Sequence, residues 1–383
     1  MFVVIFILGL IFVIMFHEFG HYLTAKLFGM KVERFFLGFG PTLWSFQRGE
    51  TEYGVKAIPA GGFVKIVGMS SFEQIDPADR GRTFYEQAAW KRVIVLSTGS
   101  ATHFVVAVAL LFAALAFAGL PSIDEPATTV IDVVVADSPA ADAGLRPGDV
   151  ITAVSGQPTA DFDDVRAALD GRGGETVPIV IERDGAEQEL RATLASENPE
   201  GEPGAFLGIG PQLVVRRLPP AEALRGTVSG DFSVGRLVGL TVSGLGQVFT
   251  PDALGAWFRS VDDPGPRDPN GPVSLVGVGQ TVNALGVGGD IFAVLVIFAQ
   301  LNIVLGTLNM LPLPPLDGGH VAVLLVEEGV NAVRRMRGRS ARWRLDPAVI
   351  TPIALVVILF FVVLSMTALY VDIVKPASDL LQQ

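Results

Sequence analysis

Residues 2–28 read FVVIFILGLIFVIMFHEFGHYLTAKLF, a long apolar run with polar side chains in its second half. Its first fifteen residues are apolar, but at about 1.5 Å per residue they cover only about 22 Å of a hydrocarbon core about 30 Å thick. We therefore expect the helix to continue through His17, Glu18 and His21, which places three polar side chains in the bilayer. A removable signal peptide is the alternative, but no basic residue precedes the run and no small-residue cleavage site follows it.

The five residues from His17 to His21 have the spacing His-Glu-x-x-His. Positions i and i+4 lie on one face of a helix, so both imidazoles can bind one zinc ion while Glu18 acts as general base towards a water molecule. Ionisable groups inside a span cost several kcal/mol unless they are paired or bind something, and a metal ion supplies the reason. The alternative is that the span ends at Phe16 and the polar side chains lie in the interface.

The composition agrees with a membrane protein and limits the metal chemistry. Half of the 383 residues are hydrophobic, 17% are charged, and there is no cysteine. Any zinc must therefore be bound by histidine and carboxylate, and the chain contains only four histidines, His17, His21, His103 and His320. Residues 120–290 hold 25 acidic and 11 basic residues, so nucleic acid is excluded as a partner.

A catalytic zinc site uses three protein ligands and one open position. Asp317 is the candidate third ligand, because it follows a helix-breaking proline-rich turn and precedes Gly318 and Gly319, which allow close backbone approach. The alternative role for Asp317 is to cap the helix that follows it. Helix-breaking residues at membrane depth are tolerated where they face protein or a watery cavity, and an active site provides one.

Three more apolar segments predict spans at residues 93–120, 290–320 and 350–372. Lysine and arginine are enriched in cytoplasmic loops beside spans. Residues 29–92 contain nine of them and residues 334–344 contain six arginines, so both segments are predicted to be cytoplasmic. Four spans then place both termini and the acidic segment outside.

Two motifs in two spans, His17-Glu18-x-x-His21 and Asn309-x-x-Pro312-x-Pro314-x-x-Asp317-Gly318, together resemble the site-2 protease family of intramembrane zinc metalloproteases. Three shorter segments share the resemblance: residues 61–65 (GGFVK), 89–92 (AWKR) and 271–274 (GPVS). The resemblance implies one Zn²⁺ per chain with His17, His21 and Asp317 as ligands and Glu18 as the catalytic base and acid. It also implies that Asn309, Gly61 and Gly62 position the substrate, beside a membrane-associated β-hairpin that presents it in extended form.

One segment departs from the family pattern. Where the family often has G-P-x-x-N at the start of its second span, this chain has Gly99-Ser100-Ala101-Thr102-His103. We interpret His103 as a structural substitute for the asparagine, with an additional metal neighbour as the alternative. His320 is interpreted as a residue beside the site and not a fourth ligand, because a fourth ligand would close the open position.

The acidic segment resembles a PDZ domain. Residues 138–151 read SPAADAGLRPGDVI, similar to the S-P-A-x-x-A-G-L-x-x-G-D-x-I signature of bacterial PDZ domains. PDZ domains bind an extended peptide or its C terminus as an added strand. In this family they resemble a size filter on the outer side, which admits substrates already trimmed by another protease.

The sequence thus predicts a multi-pass α-helical membrane protein with four transmembrane helices, a membrane-associated β-hairpin region and an inserted extracytoplasmic α/β PDZ domain. The predicted segments are a first span at 1–28, a hairpin region at 29–92, a second span at 93–120, the PDZ domain at 121–195, a linker with a surface helix at 196–289, a third span at 290–320, a basic cytoplasmic loop at 321–349, a fourth span at 350–372 and a tail at 373–383.

The function implied is regulated intramembrane proteolysis in a bacterial cell membrane, with the active site in the bilayer towards the cytoplasm. The substrate is a single-span protein already cut by an upstream site-1-type protease, such as an anti-sigma factor or a remnant signal peptide. The residue usage suits a GC-rich bacterium such as an actinobacterium. Two alternatives come from other classes. An intact Glu18 argues against a non-catalytic scaffold, and the small number of spans argues against a metal transporter.

Overall fold

The computed structural model describes residues 1–69, 73–122, 125–199, 201–263, 265, 267–268, 271–287, 289–339 and 343–377. They form two compact units, a membrane unit (Met1–Ala118 and Pro219–Gln383) and an α/β module (Gly119–Leu218). The helices are α1 (Phe2–Leu27), α2 (Ala89–Ala113), α3 (Pro139–Asp142), α4 (Phe162–Leu169), α5 (Pro220–Ser229), α6 (Val234–Val248), α7 (Pro251–Ser260), α8 (Leu275–Val287), α9 (Ile291–Asn309), α10 (Asp317–Met336) and α11 (Pro347–Val374).

The strands are short except for the first two. They are β1 (Val32–Arg48), β2 (Thr51–Ile66), β3 (Leu120–Pro121), β4 (Ile131–Val134), β5 (Val150–Val154), β6 (Gln157–Pro158), β7 (Thr176–Arg183), β8 (Ala186–Thr193), β9 (Ala195–Glu197), β10 (Pro203–Phe206), β11 (Ile209–Pro211) and β12 (Val215–Arg216).

Four helices of the described chain are long and apolar enough to cross a membrane, in agreement with the predicted number. They are α1, α2 with the π-helical turn that extends it to Ala118, α9, and α11 from Ala348. The stretch from α5 to α7 is a further candidate. Its two parts, Pro220–Val248 and Pro251–Ser260, are together apolar enough but are bent by 72° against each other, and they would make a fifth span if they cross as one unit. The membrane unit therefore has four to five candidate spans by length and composition.

Helix α2 lies at the centre of the membrane unit, where it packs against α1, α9 and α10. Glycine permits the closest of these approaches. A Cβ atom on Gly20 of α1 would lie 2.8 Å from the carbonyl oxygen of Thr98 and 2.9 Å from the Thr102 side chain, both on α2. The two backbones therefore meet at the turn of α1 that carries the His-Glu-x-x-His motif.

The hairpin region is a sheet made by two long strands that each fold back. Phe36 pairs with both Phe63 and Gly54, and Phe46 pairs with Tyr53. The adjacent segments are therefore 42–48, 51–56, 32–39 and 62–66, in that order, and residues 62–66 form one outer edge. A hairpin was predicted in this region, and the structure has four adjacent segments because register shifts let each of the two strands continue through its bend.

Residues 196–289 were predicted to be a linker with one surface helix, and the structure corrects this. The stretch contains strands β10 to β12 and helices α5 to α8. Its C-terminal part is hydrogen-bonded to Asp372 of α11. This residue is fully buried and accepts hydrogen bonds from Arg267 (2.5 Å) and from the backbone N–H of Ser274 (2.7 Å). The GPVS segment thus leads into α8 at this buried ion pair.

Two other predicted boundaries also change. The third span ends at Asn309, and a new helix, α10, begins at Asp317 after the proline-rich turn, so residues 321–336 of the predicted loop are helical. This stretch contains no proline and is rich in helix formers, which explains its continuation. Of the predicted tail, residues 373–374 belong to α11, and residues 378–383 lie outside the described part of the chain.

The α/β module is built on the sheet order β6-β5-β7-β8, with α4 packed against β5. It extends past the predicted end at residue 195, because β11 returns to pair with β4 and β12 pairs with β3. Its core is a single apolar cluster that includes Ile151, Val165 and Ile179, each fully buried, and Leu207 from the returning segment. The module therefore ends at Leu218.

An ion pair inside the module makes its stability pH-dependent. Asp149 is 1% exposed and accepts two hydrogen bonds of 2.7 Å from Arg183. Burial alone would raise the pKa of Asp149, but the hydrogen bonds from Arg183 and from the backbone N–H of Arg146, together with the positive charges of both arginines, outweigh it and hold the pKa below its ordinary value. The pair thus stabilises the module above that ordinary value, and its contribution is lost as the pH falls through the lowered pKa.

We expect Arg183→Met to destabilise the module by about 3–5 kcal/mol at pH 7, because it leaves a buried carboxylate unpaired. The loss should shrink at pH 4, where the variant can protonate Asp149. Amide exchange protection of residues 119–218 in the full chain measures this. Arg191→Met, which changes an exposed arginine on β8, is the control. An equal loss at both pH values would show that the ion pair is not its cause.

Candidate metal centre

Three ligand atoms from two helices meet in the membrane unit. His17 Nε2 lies 3.2 Å from His21 Nε2, and Asp317 Oδ2 lies 3.4 Å from the first and 3.5 Å from the second. In a tetrahedral zinc site with bonds of about 2.0–2.1 Å, two ligand atoms stand about 3.3–3.4 Å apart. The three atoms thus already have the spacing of three corners of such a tetrahedron, and they are a group that can hold a metal ion.

The tautomer of His21 also suits a metal ligand. Its Nδ1 lies 2.7 Å from the carbonyl oxygen of Val95 on α2. A carbonyl oxygen only accepts, so Nδ1 carries the proton and Nε2 keeps a free lone pair. A hydrogen bond of this kind on the outer nitrogen fixes the ring and raises the basicity of the ligating nitrogen.

Asp317 is the first residue of α10, and Leu316 occupies the N-cap position, so the alternative capping role does not apply. Ser100 on α2 donates a hydrogen bond of 3.2 Å to Asp317 Oδ2. The tight turn before α10 explains the two glycines. A Cβ atom on Gly318 would lie 2.2 Å from the carbonyl oxygen of Met310, and one on Gly319 would lie 2.4 Å from the nitrogen of Pro314.

Gly99 keeps the space beside the two imidazoles open. A Cβ atom at this position of α2 would lie 2.2 Å from His21 Nε2 and 2.8 Å from His17 Cε1. Both distances are well below ordinary van der Waals contact. Helix α2 therefore supports the site with three neighbouring features: the carbonyl of Val95, the bare backbone of Gly99 and the hydroxyl of Ser100.

Glu18 projects towards the edge of the hairpin sheet. Its Oε2 accepts a hydrogen bond of 3.0 Å from the backbone N–H of Val64, which lies on the outer edge segment. A Cβ atom on Gly62 would lie 3.2 Å from Glu18 Cγ, so the missing side chain there lets the strand approach. Gly61 lies beside it with a φ of +140°, against the ring of Phe39.

The geometry of Asn309 is less distinctive. It is the half-buried last residue of α9, seven residues before the N-cap of α10. Of the three predicted substrate-positioning residues, the structure thus brings Gly62 against Glu18, with Gly61 next to it, and places Asn309 at the end of a span. Their role towards substrate stays a prediction.

His103 and His320 lie outside the triad of ligand atoms. His103 is 4% exposed, and its Nδ1 lies 3.2 Å from Oδ1 of Asn302, a buried residue of α9. The side-chain N–H of Asn302 in turn donates a hydrogen bond of 2.8 Å to the carbonyl oxygen of Phe298, so the side-chain oxygen of Asn302 is left to accept from His103. The ring of His103 packs against that of His17 with centroids 5.1 Å apart.

Sequence reasoning missed several residues that support the site, namely Val95, Ser100 and Asn302. Val95 acts through its backbone, which no side-chain pattern reveals. A buried asparagine in an apolar span is a detectable signal, because a polar group there requires a partner. His320, in the first turn of α10, lines a cavity beside the edge segment of β2.

Comparison with known proteins gives matches over nearly the whole chain. The model of Peptidase family M50 matches residues 5–353. The chain is 38% identical to Zinc metalloprotease Rip1 of Mycobacterium tuberculosis, over 98% of this chain and 97% of that protein. It is 35% identical to Zinc metalloprotease Rip1 of Mycolicibacterium smegmatis, over 98% of each, and 32% identical to a putative zinc metalloprotease of Nostoc sp., over 82% of this chain and 83% of that protein.

Among solved structures, the PDZ domain of the SdrC-like protein from Listeria innocua matches 22% of this chain and 92% of that chain, with 27% identity and a TM-score of 0.20. The family match spans both the helix that carries His17 and the turn that carries Asp317.

Proposed function

Because the chain belongs to peptidase family M50, the site-2 protease family, and is a zinc metalloprotease, we propose that it hydrolyses a peptide bond within the transmembrane segment of a single-span protein. The observation that carries the proposal is the triad of His17, His21 and Asp317 ligand atoms at tetrahedral spacing. Two of the ligands, with Glu18 between them, lie on α1, which is a candidate span. A metal site on a membrane-spanning helix would lie at the same depth in the bilayer as the peptide bonds of a transmembrane substrate.

Zinc in this site would polarise the scissile carbonyl and make water acidic enough to attack it. His17, His21 and Asp317 would hold the ion, and Ser100 and the Val95 carbonyl orient two of these ligands. The carboxylate of Glu18 would take a proton from the attacking water and later deliver it to the leaving amine. The peptide bond then ends as a carboxylate and an amine.

The outer edge of the hairpin sheet supports extended presentation of the substrate. A helical peptide bond is sterically hidden and already hydrogen-bonded, so the substrate must unwind before water reaches it. An extended segment can add to a sheet edge through its main chain. Residues 62–66 offer such an edge, and Val64 on it contacts Glu18 directly.

The α/β module would act as a PDZ domain that limits access by size. Its SPAADAGLRPGDVI segment and its four-stranded sheet with packed helix α4 support this assignment. The basic residues of segments 29–92 and 334–344 favour a cytoplasmic position for both, and hence an extracytoplasmic module in a bacterial cell membrane. The substrate would be a protein such as an anti-sigma factor or a remnant signal peptide, after an upstream protease has removed its outer domain.

The size filter predicts that outer trimming controls cleavage. We expect the purified full chain to cut a single-span substrate that lacks its outer domain several-fold faster than the same substrate with a folded outer domain. Gel analysis of both substrates in lipid nanodiscs measures the two rates. As a control, the outer domain is released during the reaction by a site-specific protease, which should restore the faster rate. Equal rates for both substrates would contradict the filter and leave the protease assignment intact.

A further inference from the structure

One face of α10 continues from the metal site towards the hairpin sheet. Asp317, His320, Leu324, Glu327 and Asn331 recur every three or four residues, which places them on the same side of the helix. Leu324, Glu327 and Asn331 are buried. Because this face contains polar side chains, we infer that it is buried against other parts of the protein.

The C-terminal end of this face is hydrogen-bonded to the segment before α11. The side chain of Asn331 donates to the carbonyl oxygen of Trp343 (2.9 Å) and accepts from its backbone N–H (2.7 Å). Glu327 accepts a hydrogen bond of 3.0 Å from the backbone N–H of Leu345. These bonds hold residues 343–345 as a wall beside α10.

A cavity of about 820 Å³ lies between this face of α10 and the outer edge of the hairpin sheet. It is lined by residues 63–66 of β2, by Phe84, by Leu96 of α2, and by Val323 and Leu324 of α10. Its volume is within the range of about 300–1,000 Å³ that is usual for ligand pockets.

The cavity lies beside the proposed reaction site. Val64 lines it and also donates its N–H to Glu18. Leu96, another lining residue, follows Val95, whose carbonyl accepts from His21. His320 lines it one turn after Asp317. A peptide that lies along residues 63–66 would therefore pass Glu18 and the cavity in succession.

The chemistry of the lining selects an uncharged side chain. The charged residues in the wall already have partners. Arg92 pairs with Glu328 (2.7 Å), and Lys65 pairs with Glu73 (3.1 Å). Glu327 accepts from the backbone N–H of Leu345, and the guanidinium of Arg344 lies 4.6 Å from the centre of the Tyr85 ring. A further charge would be buried without a partner at high cost, whereas an apolar side chain gains by contact with Phe63, Phe84 and Leu96.

We propose that this cavity is a specificity subsite that takes one bulky apolar side chain, such as leucine or phenylalanine, from the extended substrate segment that lies along residues 63–66. This inference rests on the proposed function. Side chains alternate between the two faces of a strand, so the substrate residues that can supply this side chain are spaced two apart.

Cross-linking tests the position, because the chain contains no cysteine and one introduced thiol is unique. Val323→Cys places the thiol in the cavity wall, and Val326→Cys places it on the same helix at a site that is 53% exposed and outside the lining. Both full-length variants are mixed with single-span substrates that carry one activated disulfide at successive positions. Yield is measured by mass spectrometry.

We expect Val323→Cys to cross-link at one position, or at two positions two residues apart, with a yield at least about tenfold above that of Val326→Cys, since only a docked side chain has a fixed neighbour. Competition by a substrate without the disulfide should lower this yield. Equal yields for both variants, or a yield that does not depend on substrate position, would overturn the subsite.

Filling the cavity tests its specificity. Val323→Trp should lower kcat/KM about tenfold or more for a substrate with leucine at the cross-linked position, and much less for one with glycine there, because only the leucine needs the space. Val326→Trp is the control. If the wild type cleaves no substrate while Val323→Cys still cross-links selectively, the proteolytic function fails and the peptide site stands. If the wild type cleaves but cross-linking is unselective, the reverse holds.

Discussion

Replacing Glu18 by glutamine is expected to slow peptide hydrolysis by about 10²–10⁴-fold while zinc stays bound. Glutamine has nearly the same shape, and its carbonyl oxygen can still accept the hydrogen bond from Val64 that Glu18 accepts at 3.0 Å. The substitution removes only the group that takes a proton from water. The three ligand atoms of His17, His21 and Asp317 are unchanged.

The measurement is the single-turnover rate on a trimmed single-span substrate, with the zinc content of each sample determined by elemental analysis. Glu52→Gln removes one carboxylate from the hairpin sheet, where Glu52 lies 3.4 Å from Arg34, and serves as the matched control with an unchanged rate. If Glu18→Gln cleaves as fast as the wild type at equal zinc content, Glu18 is not the base. If both proteins bind the peptide and neither of them cuts it, a scaffold function would take precedence.

Replacing Gly99 by alanine is expected to weaken zinc binding by at least about 100-fold and to abolish activity at ordinary zinc concentrations. The added Cβ atom would lie 2.2 Å from His21 Nε2, so the imidazole must move by more than 1 Å to reach ordinary contact. Zinc ligation tolerates deviations of only about 0.2 Å. A shift of this size also breaks the hydrogen bond between His21 Nδ1 and the carbonyl of Val95.

Two features separate this effect from general loss of structure. Alanine is the better helix former by about 1 kcal/mol, so helix α2 itself should not be weakened by the change. Ala101→Val adds volume on an exposed part of the same helix and should keep wild-type zinc affinity. Competition with a chromophoric chelator measures the affinity of all three proteins. Wild-type affinity in Gly99→Ala would mean that the imidazoles do not occupy the observed positions.

Much of the membrane unit could be predicted because its signals are local. Spans are long apolar runs, and each of the four coincides with a helix of sufficient length. The meeting of the three candidate ligands was predictable because the chain has no cysteine and few polar groups in its spans. The i, i+4 spacing of His17 and His21 fixes two ligands on one helix face, and the break before Asp317 identifies the third.

The remainder depends on contacts between residues distant in sequence. The folding back of β1 and β2 is set by register shifts that no period-2 pattern shows. The short strands β10 to β12 are recognisable only from their pairing with β3, β4 and β9. Support of the metal site by Ser100 and by the Val95 carbonyl needs the close approach of α2, which Gly20 permits.

The location of the cut within a substrate shows whether this protein hydrolyses peptide bonds inside a transmembrane segment. Zinc-loaded wild-type protein in detergent is incubated with a trimmed single-span substrate, and both fragments are identified by intact-mass spectrometry. We predict one pair of new termini inside the apolar segment of the substrate, and the loss of both fragments when zinc is removed with a chelator. Cuts confined to the polar flanks, or fragments that form equally well without zinc, would contradict intramembrane proteolysis by this site.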